Sequence, residues 1–242
     1  MEFGIQLYSL RDQMEKDFLQ GLKNVAEYGY RGVEFAGYFG WEKEIPGWLK
    51  DLGLQAWGTH TQFTDLEADF DGVVQLHHAL GCSLVIVPWL NPTTQAEGLD
   101  LCRRMEDLRL RLEGENLRLA YHNHDHEFAS LDGGPSFEEM LLKETKVGLE
   151  LDTFWVYAAG EDPLVWMSRV YDLGRLPVIH LKDGFSNGDG VPLGGGTAPV
   201  EQVYRFCKEK NIPMVVESET LNPSGPEEAR VCMEYLKKMG KD

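Results

Sequence analysis

Four pairs of ionisable residues stand two positions apart: His122 with His124, Glu150 with Asp152, His180 with Lys182, and Glu217 with Glu219. In an extended strand, residues i and i+2 share a face, so each pair aims two polar groups the same way. The residues between are apolar in Leu149-Glu150-Leu151-Asp152 and Ile179-His180-Leu181. Glu34 and His60 hold corresponding places earlier in the chain, and Asp125, His126 and Glu127 follow His124. Carboxylates gathered in a low dielectric must be paired, protonated or bound to a cation. A divalent ion held by carboxylate oxygen and imidazole nitrogen meets that need, and Mn²⁺, Mg²⁺, Co²⁺ and Zn²⁺ all suit such donors.

A Lewis-acidic ion beside a histidine base is equipment for removing a proton from carbon next to a carbonyl. His122 or His124 is the expected base, with Glu217 as a second acid/base group. Glu34, His60, Lys182 and Trp155 are the expected substrate contacts. Trp89 and Trp155 both fall at strand ends, where a sugar ring can stack; Trp57 and Phe154 read as core. His77 and His78 lie on a helical stretch and read as structural. Glu150 also has Lys182, on the following strand, as a candidate ion-pair partner.

Eight β-rich runs position these groups: 2–9, 32–37, 54–60, 83–90, 117–124, 147–155, 176–183 and 212–219. Stretches of helical period separate them. Phe18, Leu22 and Val25 share one face, as do Leu101, Met105, Leu108 and Leu112. Val200, Val203, Tyr204 and Cys207 repeat the pattern, and so do Ala229, Cys232, Met233 and Leu236. Asp162-Pro163 reads as a helix start, cap followed by proline. Strands alternating with helices imply parallel pairing, and eight such units predict an α/β fold, one (β/α)₈ TIM barrel over 1–242. Active sites of such barrels lie at the C-terminal ends of the strands, where these ionisable residues collect. The stretch 184–198 reads as the longest structureless loop. Its Gly194-Gly195-Gly196 reads as a hinge, with an anion-binding nest as the alternative.

The formal net charge is −17, with 23 Lys and Arg against 40 Asp and Glu. A nucleic-acid backbone demands a basic surface, so nucleic acid is excluded as an expected partner. No apolar run approaches the roughly 20 residues of a membrane span, and no signal peptide is read at the start. Cys82, Cys102, Cys207 and Cys232 are far apart and form no CxxC pair. Buried, reduced thiols in a cytoplasmic protein are the expectation. No GxGxxG follows the first strand, so a dinucleotide fold lacks its marker.

GIQLYSLRD, GYRGVEFAG, YHNHDHEF, LELDTFWV, VIHLKDG and VVESE run in order along nearly the whole chain. On these segments the chain resembles the sugar phosphate isomerase/epimerase family with the xylose-isomerase-like barrel. That group also takes in inosose dehydratases, ketose 3-epimerases and, more distantly, endonuclease IV. The resemblance implies one divalent ion held by an acid on strand five, an Asp on strand six, a His on strand seven and a Glu on strand eight. Asp152, His180 and Glu217 match the last three. On strand five the epimerases carry Glu where this chain has His122, so the ligand implied is Glu127 reaching back, with His122 or His124 as alternatives. Trp155 stands where the epimerases place a substrate-contacting His.

The implied activity is isomerisation or epimerisation of a small sugar or polyol through an enediolate. Dehydration is the alternative, since YHNH is similar to the inosose dehydratases. Endonuclease-like phosphodiester cleavage calls for several metals and a DNA-facing basic surface, against the charge balance. A non-catalytic sugar-binding barrel is a further alternative, and family habit implies a homo-oligomer.

Overall fold

A computed structural model describes residues 1–240. Eight parallel strands close into a barrel: β1 (Gly4–Gln6), β2 (Gly32–Phe35), β3 (Gln55–His60), β4 (Leu84–Val87), β5 (Arg118–His122), β6 (Gly148–Asp152), β7 (Ile179–Leu181) and β8 (Met214–Val216). Each pairs with its sequence neighbours, and β1 closes on β8 through Gly4 opposite Val215. This is the (β/α)₈ barrel that the alternating pattern predicts.

The helical stripes named from periodicity pack against the outside of the barrel. Phe18, Leu22, Val25, Met105, Leu108, Leu112, Val203, Cys207, Cys232 and Leu236 are all buried. Asp162 caps the helix Pro163–Asp172 by accepting from the Leu164 N–H at 2.8 Å. All four cysteines are buried and unbridged. Among the described residues, no helix is long and apolar enough to cross a membrane.

Strands are shorter than the apolar runs that announce them, because local side chains end them early. The run 147–155 stops at Asp152, whose Oδ1 accepts from the N–H groups of Phe154 and Trp155 and so starts the helix Thr153–Ala158. The run 2–9 turns into a 3₁₀ helix at Leu7, where the Gln6 side chain accepts from the Tyr8 N–H.

The stretch 184–198 is not structureless. Asp183–Gly184 pairs antiparallel with Gly190–Val191. The Asp183 carboxylate then accepts from the N–H groups of Gly194 at 2.9 Å and Gly196 at 3.0 Å. The glycine run is therefore neither a hinge nor an open anion nest, because the chain fills it with its own carboxylate.

The barrel interior is layered. Leu84, Ile86, Ala120, Val178 and Val215 form a separate apolar cluster with Trp57 against it, plugging the N-terminal end. Gly32 makes room for that indole: a Cβ there would lie 2.1 Å from Trp57 Cδ2. Above this floor the inward side chains become ionisable.

Candidate metal centre

Parallel registry brings the paired positions level with one another. Asp152 lies beside His180, His122 beside Glu150, and Gln6 beside Glu34. A register shift between Val33 and Glu34 sets Glu34 against Gly58, where a Cβ would lie 2.7 Å from Glu34 Oε2. Glycine thus admits the Glu34 carboxylate to the barrel axis.

His180 is the centre of the resulting cluster and is wholly buried. Its Nε2 lies 2.7 Å from Glu34 Oε1. Its Nδ1 lies 3.3 Å from Glu217 Oε2 and 4.0 Å from Asp152 Oδ2. His122, Asp152, His180 and Glu217 offer ligand atoms all within 4.8 Å of one another, and all four residues are buried. Asp152 Oδ1 is committed to the helix cap, whereas Oδ2 has no hydrogen-bond partner. A buried carboxylate oxygen without a partner is costly. Here it faces a histidine nitrogen and a second carboxylate, so this donor set fits a divalent cation.

Electrostatics point the same way. Two unit charges 4 Å apart interact by about 4 kcal/mol at an effective dielectric of about 20, so clustered carboxylates cannot all ionise unaided. Burial pushes the Asp152 carboxyl up to about 7, against the pull of Lys182. Burial and the charge of Glu34 push Glu150 up to about 8. Burial also acts on Glu34 and Glu217, but nearby cations outweigh it. His180 and His60 hold Glu34 well below the usual carboxylate range, and Lys182 and His180 hold Glu217 below it. Some carboxyls therefore keep their protons and others pair with imidazolium, a frustrated arrangement that a dication relieves.

A cleft of about 290 Å³ opens above the cluster, lined among others by Tyr8, His60, Trp89, His122, His124 and Glu217. His124 stands at its wall, 4.6 Å ring to ring from Trp89 and 5.7 Å from Trp155. Burial lowers its pKa to about 3, so the ring is neutral with a free lone pair. A larger cavity, about 430 Å³, lies at the opposite end of the barrel near Arg118, Gly148 and Pro213. It contains none of the clustered histidines and acids, so the smaller cleft is the candidate site.

The residues singled out from sequence separate into three groups. Asp152, His180, Glu217 and His122 come together in the cluster. His60 and His124 line the cleft with His122 and Glu217. Glu127, the strand-five acid named for the metal, does not join. It accepts from Tyr121 Oη at 2.6 Å and from the His124 N–H at 2.8 Å, and so braces the turn after β5.

Glu34 is fully buried beneath His180, where it also accepts from Gln6 Nε2 at 2.8 Å, and it does not line the cleft. Lys182 is buried too, ion-paired with Glu217 and Glu219 and 4.7 Å from the centroid of the Trp155 ring. Glu150 meets His60, His122 and His180 instead of Lys182. His77 is structural, 2.6 Å from Thr59 Oγ1. Sequence reasoning missed Gln6 and Asn123. For Gln6 the signal was available, because it is an inward residue of β1 level with Glu34.

Comparison with solved structures places the architecture. A sugar phosphate isomerase/epimerase from Parabacteroides distasonis superposes with a TM-score of 0.84 at 23% identity, over 98% of this chain and 93% of that one. A probable 3-DHS dehydratase from Bacillus anthracis gives 0.76 at 15%, over 98% and 99%. A D-allulose 3-epimerase from Methylomonas sp. in complex with D-allulose gives 0.71 at 14%, over 99% and 97%. At these identities the likeness shows the fold alone. No curated protein sequence matches the chain. The xylose isomerase-like TIM barrel profile matches residues 22–239, nearly the whole chain, and the chain belongs to that family.

Proposed function

We propose that this chain is a divalent-metal-dependent isomerase or epimerase of a small sugar or polyol, working by proton removal next to a carbonyl. The observation that carries the reading is the convergence of Asp152, His180, Glu217 and His122 beneath a cleft walled by a neutral histidine. Asp152 through Oδ2, His180 through Nδ1 and Glu217 would hold the ion, with His122 as a fourth donor; Mn²⁺, Mg²⁺, Co²⁺ and Zn²⁺ all suit that set. Such an ion, when bound, polarises the carbonyl and stabilises the enediolate charge.

His124 takes the proton, since it lines the cleft and its Nδ1 has no hydrogen-bond partner, whereas His122 is committed to the cluster. Glu217 lines the cleft beside Lys182, and its position there makes it the second acid/base group. Trp89 and Trp155 flank His124 and give a sugar ring an apolar face to lie against. Glu34, set beneath His180 and also 3.1 Å from His60 Nε2, orients the His180 imidazole.

Dehydration through the same intermediate is the second reading. It is favoured by His122 standing where a strand-five Glu belongs to the epimerase pattern, and by the fit to a dehydratase barrel. Proton NMR of keto sugars and inososes incubated with Mn²⁺-loaded protein in D₂O tests both. Deuterium entering the carbon next to the carbonyl supports isomerisation or epimerisation, and loss of a hydroxyl to give an enone supports dehydration. Saturable binding without either change would leave a sugar-binding barrel.

A further inference from the structure

Beside the Asp152–His180–Glu217 group lies a second, overlapping set of donors, in which His60 and Glu150 are the residues the first ion does not use. His60, His122, Glu150 and His180 also offer ligand atoms all within 4.8 Å of one another. Glu150 Oε2 is their hub, 2.9 Å from His60 Nε2, 3.2 Å from His122 Nδ1 and 3.4 Å from His180 Nε2. Tetrahedral ligands about 2.0–2.1 Å from an ion are roughly 3.3 Å from one another, and the three nitrogens stand at 2.9–3.4 Å from Glu150 Oε2. Glu150 is wholly buried and its Oε1 has no hydrogen-bond partner; neither has His122 Nδ1.

We propose that the barrel binds a second divalent ion at His60, His122 and Glu150, and that this position selects zinc over manganese. Two imidazoles and one carboxylate are donors that zinc takes readily. Carboxylate-rich sites suit Mg²⁺ and Mn²⁺ better, and imidazole suits zinc. The first site is the oxygen-rich one, with Asp152 and Glu217; the second is nitrogen-rich. His180 is not contested, because Nδ1 faces the first site while Nε2 lies against Glu34. His122 is the shared group. With both ions bound it serves the second, and Asp152, His180 and Glu217 with solvent hold the first.

The proposal rests on the functional reading only in taking Asp152, His180 and Glu217 as the first site. The full chain, stripped with a chelator, is dialysed to equilibrium against Mn²⁺ alone or Zn²⁺ alone, and bound metal is measured by elemental analysis. The expected result is one manganese or two zinc ions per chain. Glu150→Gln and His60→Asn should each reduce zinc from two to one and leave the manganese equivalent in place, which also shows that the variants fold. A single zinc in the wild type, two manganese ions, or a second zinc that survives both substitutions would overturn the proposal. Loss of every equivalent in both variants would also count against it. Wild-type protein that holds the Glu150-dependent zinc but no manganese would sink the first-site assignment and leave this one standing.

Discussion

Asn123 grips the backbone of Asp152 across the gap between β5 and β6. Its Oδ1 accepts from the Asp152 N–H at 3.0 Å, and its Nδ2 donates to the Asp152 carbonyl at 3.3 Å. The carboxylate next to that clamp is the one with an unclaimed oxygen facing His180. Asn123→Ala strands two buried backbone groups, and each such group costs about 1–3 kcal/mol. The expected outcome is a lower melting temperature together with metal affinity weakened roughly 10–100-fold. Calorimetric titration with Mn²⁺ checks this; an unchanged affinity would show that Asp152 is held by other means.

Glu34 would act on a bound metal through His180. Its carboxylate lies 2.7 Å from Nε2 and so fixes which ring nitrogen carries the proton, leaving Nδ1 for coordination. Glu34→Ala should weaken Mn²⁺ binding by about 10–100-fold, while Glu34→Gln, which keeps an acceptor oxygen, should recover part of the loss. Equal affinities in wild type and both variants would mean that the tautomer is set elsewhere.

His124→Gln removes the proposed base and leaves the clustered donors untouched. Solvent deuterium uptake into an active sugar should fall by about 10²–10⁴-fold, the usual contribution of a positioned base, with bound metal unchanged. Retained exchange would move the base to another cleft residue, with Glu217 the first to examine.

The metal-free chain should lose stability as pH rises from 7 to 9. Asp152 is raised to about 7, Glu150 to about 8 and His60 to about 9. Each binds its proton more tightly folded than unfolded, so its contribution is lost between its ordinary and its folded value. That loss falls mainly below 7 for Asp152, up to about 8 for Glu150 and up to about 9 for His60, which leaves the last two to drive the fall above pH 7. Glu34 and Glu217 are shifted downward from 4.5 and act only on the acid side of this window. The slope is up to about 1.4 kcal/mol per pH unit for each proton of difference. A saturating divalent ion competes with those protons and should flatten or reverse the trend. Thermal melts at pH 7, 8 and 9, with and without chelator, decide it.

Much of this arrangement was legible in the chain because period-two spacing and strand order are local properties. Asp152, His180 and Glu217 sit on three adjacent strands, so their convergence follows once the barrel closes. Glu127 shows where such reading fails. Its distance along the chain from His122 allows it to fold back, and only the Tyr121 hydroxyl and the His124 N–H, arranged by the turn itself, draw it away. Glu34 and Lys182 fail differently. Both stand on inward-facing positions, but Glu34 lies deep, beneath His180, while Lys182 is taken up by Glu217 and Glu219. The depth of Glu34 depends on the register shift at Val33/Glu34, whose mark in residue type is a single glycine, Gly58, on the next strand. Glu150 carried the right signal and two readings, and the burial of Lys182 against Glu217 and Glu219 settled between them.

Asp183, by docking its carboxylate on Gly194 and Gly196, closes off the one glycine-rich segment that resembles a phosphate cradle. An incoming phosphoester would find those amides already taken and a negative charge lying across them. Recognition of a phosphorylated sugar by this chain would therefore have to come from side chains around the mouth.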